Sequence, residues 1–331
     1  MDLKILRPRP LRRGLLGIEK LTLFYAALTS VAILLLWPRI EGAAGLLLQR
    51  WLLCAAMAVP YFAYRWYPSR LTKFLRIFYV MALLSYWYPD TYYICSTMPY
   101  LDHAFATADQ WLFGFQPAEW FSRIFSSHVV SEAFYMGYLS YFPIIAFVTF
   151  YAWLRKYQQL EYTTFVIMCS FFLFYVVFLF LPVAGPQFYY PLLSPQQLQA
   201  GVFPPVPHDY FVLHPQLQEN PNSMGGLFHT CVSFMQGHGE RPTAAFPSSH
   251  VGISTVVLLA SRKLSPTLTA CLVPFYLLLC GSTVYIGAHY AIDALTGILC
   301  GVAAFYFSAW LFRFRFFHRK PKANTVRQNA D

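Results

Sequence analysis

Charge is what this sequence lacks: Asp, Glu, Lys and Arg together make up only 11% of its 331 residues. A water-soluble domain carries roughly a quarter of such residues. With 57% hydrophobic and 19% aromatic residues and a mean hydropathy of +0.45, the chain cannot keep a soluble surface and reads as an integral membrane protein. Tight metal-ligand spacings such as H-E-x-x-H are also missing, and His208, His214, His229 and His238 are not spaced as ligands. No metal and no cofactor is therefore expected. There is no internal repeat and no coiled-coil run. The fragment GLLGIE at 14–19 has neither the lysine nor the preceding strand of a nucleotide-binding loop.

What is present is a series of apolar stretches, at about 20–38, 44–64, 74–94, 130–154, 162–183, 247–264, 266–286 and 289–312. They predict an all-α membrane protein of about eight transmembrane helices. The first stretch has no small-residue cleavage site and reads as a retained anchor. All but four of the 24 lysines and arginines fall on the side that holds both termini; the exceptions are Arg39, Arg50, Arg123 and Arg241. This bias places the termini in the cytoplasm. The net charge of +10 is then an orientation signal facing anionic lipid rather than a nucleic-acid surface.

Two polar fragments interrupt the apolar pattern, both on the outer side. AFPSSHVG (245–252) heads the sixth span, and GAHYAIDALTG (287–297) heads the eighth. The intervening span returns the chain, so His250 and His289 can meet. His289 and Asp293, four apart, share one helix face, so the carboxylate can accept from one imidazole nitrogen and leave the other free and nucleophilic. Gly297 and Gly301 continue that face and would admit another helix at close range. Singly, each residue has an ordinary structural explanation as a cap or an interfacial group. Together, two histidines and an aspartate converging inside a membrane point to a site. Backbone N–H groups at 248–250, with Ser248 and Ser249, would make a nest for an anion. One imidazole could attack phosphorus while the other protonates the leaving oxygen, without a metal. A proton relay in a transporter is the other class of function, but the paired halves with broken helices that mark many transporters are not seen.

These residues resemble the motifs of the type 2 phosphatidic acid phosphatase superfamily. PSGH appears as Pro247-Ser248-Ser249-His250, and SR-x5-H-x3-D as Ser282-Thr283, then His289 and Asp293. Thr283 replaces the family arginine. Arg241-Pro242 could supply the RP of the first motif, with Phe234 standing where lysine is expected. The combination looks like the inositol phosphorylceramide synthase branch. By that resemblance His289 is the nucleophile, Asp293 its orienting partner and His250 the general acid. Ser248, Ser249, Arg241 and Tyr290 are assigned to binding a lipid phosphate substrate. The resemblance implies a six-helix catalytic core over 71–312, preceded by an N-terminal part (1–70) with two extra spans and followed by a basic tail (313–331). It implies a lipid phosphotransferase passing a headgroup to an alcohol, with a plain lipid phosphate phosphatase as the alternative.

Two outer segments remain, 95–128 and 184–246. The first has the apolar spacing of a helix lying on the membrane. The second contains GPQFYYP at 185–191 and is long enough to cover a site; Phe188, Tyr189 and Tyr190 read equally as part of an interfacial aromatic belt. Cys95 and Cys231 both fall on this side, where a disulfide would persist, and the sequence leaves their pairing open.

Overall fold

The computed structural model describes residues 5–207, 209–220, 223–314 and 316–317. Lys4, His208, Arg315, Arg319, Lys320, Lys322 and Arg327 lie outside the described residues. Among the described residues the regular structure is helical, with no strand. The helices are α1 (Gly17–Leu35), α2 (Ala43–Ala56), α3 (Ala58–Trp66), α4 (Arg70–Ala82), α5 (Leu84–Cys95), α6 (Asp102–Phe113) and α7 (Pro117–Ile124). They continue as α8 (His128–Leu139), α9 (Tyr141–Arg155), α10 (Leu160–Phe180), α11 (Pro186–Tyr189), α12 (Pro195–Ala200) and α13 (Tyr210–Leu213). The last four are α14 (Leu227–Gly239), α15 (Ser249–Leu264), α16 (Pro266–Tyr285) and α17 (Ala291–Leu311).

Among the described residues, five stretches are long and apolar enough to cross a membrane: Gly17–Leu35, Ala43–Trp66, Tyr157–Phe180, Pro266–Tyr285 and Ala291–Leu311. The pair α8–α9, bent by 46°, makes a sixth if it is one span. The stretches expected at 74–94 and 247–264 are helical too, but as the broken pair α4–α5 and the 16-residue α15. Two of the breaks have a covalent cause. Pro60 and Pro143 each lack the N–H that would bond four residues back, to Ala56 and Leu139, where α2 and α8 end.

Helix α10 is apolar all round and buried on most of its surface, which places it at the centre of the bundle. α1 packs directly on it, with Tyr25 stacked on Phe172 at 4.2 Å. The N-terminal helices are thus joined to the central core, and two buried ion pairs tie them to the next pair of helices. Glu19 of α1 accepts from Arg76 Nε of α4 at 2.8 Å, and Arg50 of α2 donates to Asp90 of α5 at 2.5 Å. Arg50, the basic residue lodged within the second span, is therefore neutralised inside the protein rather than facing lipid.

The close approach expected at Gly297 and Gly301 is made by α15. A Cβ on Gly297 would stand 2.7 Å from the Ser248 carbonyl oxygen, and one on Gly301 only 2.4 Å from that of Gly252. The helix carrying His250 and the helix following His289 are in backbone contact as a result.

The 184–246 segment is not structureless: α11 to α14 run through it. Phe188 and Tyr189 do not form an interfacial belt. Both are buried, in a small second core with Tyr100 and Phe211. The segment 95–128 folds as two helices, α6 and α7, rather than one. Cys95 and Cys231 are both free, and the Cys95 thiol points at the Phe178 carbonyl, 3.1 Å away.

Candidate active site

At one end of the bundle the starts of α15 and α17 come together, and with them His250 and His289. Ser248 caps α15 through its hydroxyl, which accepts from Val251 N–H at 3.4 Å, and this sets His250 in the first turn. The 245–248 strap in front of the helix is stitched to its surroundings by backbone bonds. Ala245 N–H donates to the Val183 carbonyl at 2.9 Å, and Ser248 N–H donates to the Asp293 carbonyl at 3.0 Å. His289 sits in the turn between α16 and α17, with its N–H on the Thr283 carbonyl at 3.0 Å.

The two imidazoles face one another. His289 Nε2 is 3.4 Å from His250 Nδ1. The His250 ring is flanked by Tyr138 and Tyr141, with ring centroids 4.7 and 4.5 Å away. His289 Nδ1 donates to the Ala245 carbonyl oxygen at 2.8 Å. A carbonyl can only accept, so this bond fixes the tautomer and leaves the Nε2 lone pair turned towards His250 Nδ1.

Asp293 is not the hydrogen-bond partner of His289 that the spacing suggested. Its Oδ2 lies 3.7 Å from Nδ1, beyond hydrogen-bond range. The reason is local. α17 begins only at Ala291, Tyr290 is extended, and Asp293 occupies the third helical position. From there its carboxylate reaches back to Tyr290 N–H at 2.9 Å. It remains within ion-pair distance of His289, close enough to stabilise positive charge on the ring.

The residues assigned to substrate binding divide. Ser249 and Arg241 line the narrow cleft in front of the two histidines, and Arg241 is exposed there. Ser248 and Tyr290 do not line it. The Ser248 hydroxyl and N–H are spent on the cap and on Asp293, and the buried Tyr290 hydroxyl donates to Asp102 at 3.0 Å. Thr283, standing at the arginine position of the resembling motif, is fully buried with Oγ1 on the Cys280 carbonyl, and Phe234 is exposed on α14.

Three acidic residues that sequence reasoning passed over organise this end of the molecule. Asp102 and Asp109 stand seven apart on α6 and so share one face. Asp102 accepts from Ala184 N–H at 2.9 Å and Gly185 N–H at 2.8 Å. Asp109 accepts from Ala291 N–H at 2.8 Å and Ile292 N–H at 2.9 Å, taking the first orphan donors of α17. Burial pushes each carboxyl up to about 6 even against those donors. Gly185 needs its missing side chain, since its φ is +99° and a Cβ would lie 2.6 Å from the Ala288 carbonyl oxygen. The third acid, Glu240, borders the cleft itself, accepting from Tyr138 Oη and from Gln187 Nε2 at 2.6 Å. The signal available for Asp102 and Asp109 was their two-turn spacing in an apolar setting; for Glu240 there was none.

The cleft thus holds a directed imidazole lone pair, a second imidazole in contact with it and one arginine. Among the described residues no group of three His, Cys, Asp or Glu side chains is placed to hold a metal ion. No curated protein and no solved structure matches the chain. The profile of the PAP2 superfamily matches residues 103–307, from α6 into α17. That region exceeds half of the chain and takes in both histidines, so the protein belongs to the PAP2 superfamily, a group of phosphatases and phosphotransferases.

Proposed function

We propose that the protein transfers a phospho-headgroup from a membrane lipid to an alcohol through a phosphohistidine on His289. The observation that carries this reading is the pair of contacts on one ring: Nδ1 held by the Ala245 carbonyl and Nε2 turned towards His250. In the first half-reaction the Nε2 lone pair forms the N–P bond as the P–O bond to the lipid breaks. His250, as the imidazolium, gives its proton to the departing oxygen. In the second, His250 takes the proton from an incoming hydroxyl, the new P–O bond forms and the P–N bond breaks. Asp293 at 3.7 Å and the arriving phosphate supply the negative charge that each imidazolium needs.

Transfer is favoured over hydrolysis by the charge of the cleft. Arg241 is the cation lining it and Glu240 lies beside it, a setting that suits a phosphodiester monoanion better than a monoester dianion. An inositol phosphorylceramide synthase-like activity is the specific form of this proposal. The basic residues support the sidedness: Arg12, Lys20, Arg70, Lys73 and Arg155 belong to the end assigned to the cytoplasm, and the histidines to the other.

Purified protein, given a phosphodiester lipid and an alcohol, should form an acid-labile, base-stable phosphoenzyme and a new phosphodiester. Rapid release of inorganic phosphate from phosphatidate with no product on any alcohol would replace transfer with the phosphatase reading.

A further inference from the structure

Polar side chains line most of the cleft in front of the histidines, and nearly all of them are taken up by partners within the protein. Gln187 donates from Nε2 to Glu240 at 2.6 Å and accepts at Oε1 from Gln236 at 3.2 Å. Glu240 accepts in turn from Tyr138 and from Gln236. The Ser249 hydroxyl lies against that of Tyr141, and the Thr243 hydroxyl against the Cys95 thiol. His250 and His289 face each other.

Apart from the histidines, two side-chain donors are left over. One is Arg241, which is exposed. The other is the hydroxyl of Tyr88, which lines the cleft from α5 and makes no hydrogen bond among the described residues. The rest of Tyr88 is well held. Thr91 Oγ1 donates to its carbonyl at 2.7 Å, and its ring stands 6.3 Å from that of Tyr175 on the central helix α10. The half-buried ring thus carries one unspent donor on a fixed support. Tyr88 also precedes residue 103, where the superfamily profile begins, so the family motifs do not reach it.

A donor without a partner in a part-buried cleft costs free energy until an acceptor arrives. The proposed reaction brings one. A phosphodiester has two non-bridging oxygens, and a donor fixed beside them lowers the barrier to transfer. Arg241 supplies one full positive charge. A phenolic hydroxyl supplies a hydrogen bond and no charge, which suits an anion carrying a single charge. We infer that Tyr88 contacts the substrate, its hydroxyl donating a hydrogen bond to a non-bridging oxygen of the phosphoryl group that His289 attacks. Thr283, buried where the resembling motif has arginine, has its hydroxyl on the Cys280 carbonyl, and Tyr88 provides a donor from a different helix. The inference rests on the phosphohistidine reading but not on an alcohol being the acceptor.

The test uses the full chain in detergent and the Rp and Sp isomers of a p-nitrophenyl alkyl phosphorothioate diester. In each isomer sulfur, a poor acceptor, replaces a different non-bridging oxygen. Tyr88→Phe removes the hydroxyl and keeps the ring, so its melting temperature should match that of the wild type. Nitrophenolate release should fall about 10²-fold for the all-oxygen diester and for one isomer. For the other isomer, whose sulfur occupies the Tyr88 contact, it should fall less than about fivefold. A structural role would slow both isomers alike, so equal losses, or no loss, overturn the inference. Where the wild type releases no nitrophenolate, binding decides instead. Dihexanoyl phosphatidylinositol should bind the wild type about tenfold more tightly than Tyr88→Phe, and equal affinity, or no binding, overturns the contact. If that difference holds while no phosphoenzyme forms, the phosphohistidine reading fails and the contact stands. A phosphoenzyme with no difference between the isomers, or between the two proteins in binding, does the reverse.

Discussion

His289 donates its Nδ1–H to the backbone carbonyl of Ala245, a residue 44 positions earlier, and not to Asp293 four positions later. The orientation of the proposed nucleophile is therefore set by the strap leading into α15, and Asp293 holds the turn before α17 with the imidazole 3.7 Å away.

From this the two substitutions should differ. His289→Ala removes the nucleophile and should abolish turnover and the phosphoenzyme. Asp293→Asn keeps an oxygen for Tyr290 N–H and leaves the Ala245 bond in place, so kcat should fall only about 30-fold, roughly 2 kcal/mol of transition-state charge stabilisation. Equal losses in the two variants, measured on folded protein, would show that Asp293 orients the ring after all.

The proton on His250 matters only when the leaving oxygen is basic. His250→Ala should cripple cleavage of a lipid donor by about 10³-fold while sparing a p-nitrophenyl phosphodiester to within about tenfold. A uniform loss on both substrates would remove the general-acid assignment.

Asp109 holds the first two N–H groups of α17, and Asp102 the two of Ala184 and Gly185. Asp109→Ala should cost about 1–2 kcal/mol of stability by orphaning two half-buried donors. Asp109→Asn, which retains an acceptor, should recover much of the melting temperature. If Asp109→Ala melts like the wild type, the clamp is not structural.

At Gly301 even one methyl has no room, with the Gly252 carbonyl oxygen 2.4 Å from the position it would take. Gly301→Ala should destabilise the fold by about 1–3 kcal/mol and lower activity by separating the histidines. Gly45, with nothing within 4 Å of an added Cβ, is the control: Gly45→Ala should be close to neutral. Comparable melting of the two variants would contradict the close packing of α15 on α17.

Sidedness is checked with an impermeant thiol reagent on intact cells. A cysteine at Ala200 should be labelled from outside and one at Gln158 should not. The opposite pattern would turn the active site towards the cytoplasm.

Much of this was legible in the sequence because apolar length and motif spacing are local properties. The histidine pair could be read from two fragments and one returning span. The role of Asp293 could not, because it turns on whether α17 starts at His289 or at Ala291, and two N–H groups held by Asp109 from a distant helix decide that. Ser248 and Tyr290 looked like substrate contacts for the same reason: nearness in sequence to His250 and His289 says nothing of which way a side chain turns. Arg50 was visible as an oddity within a span, but its partner Asp90 lies 40 residues away on another helix. Nothing in a hydropathy pattern pairs them.

That pair also bears on how the chain enters the bilayer. When synthesis has reached only α2, Arg50 has no carboxylate to meet, and a lone arginine at mid-helix costs about 2.5–3.5 kcal/mol to release into lipid. Asp90 arrives three helices later, on α5, and Glu19 on α1 waits likewise for Arg76 on α4. The insertion machinery must therefore hold the opening helices until the fifth has emerged and release them as a group. A ribosome-stalled chain with only its first 70 residues emerged should crosslink to the translocon, and one with residues up to and past 95 emerged should not; Asp90→Leu should prolong the contact by leaving Arg50 alone.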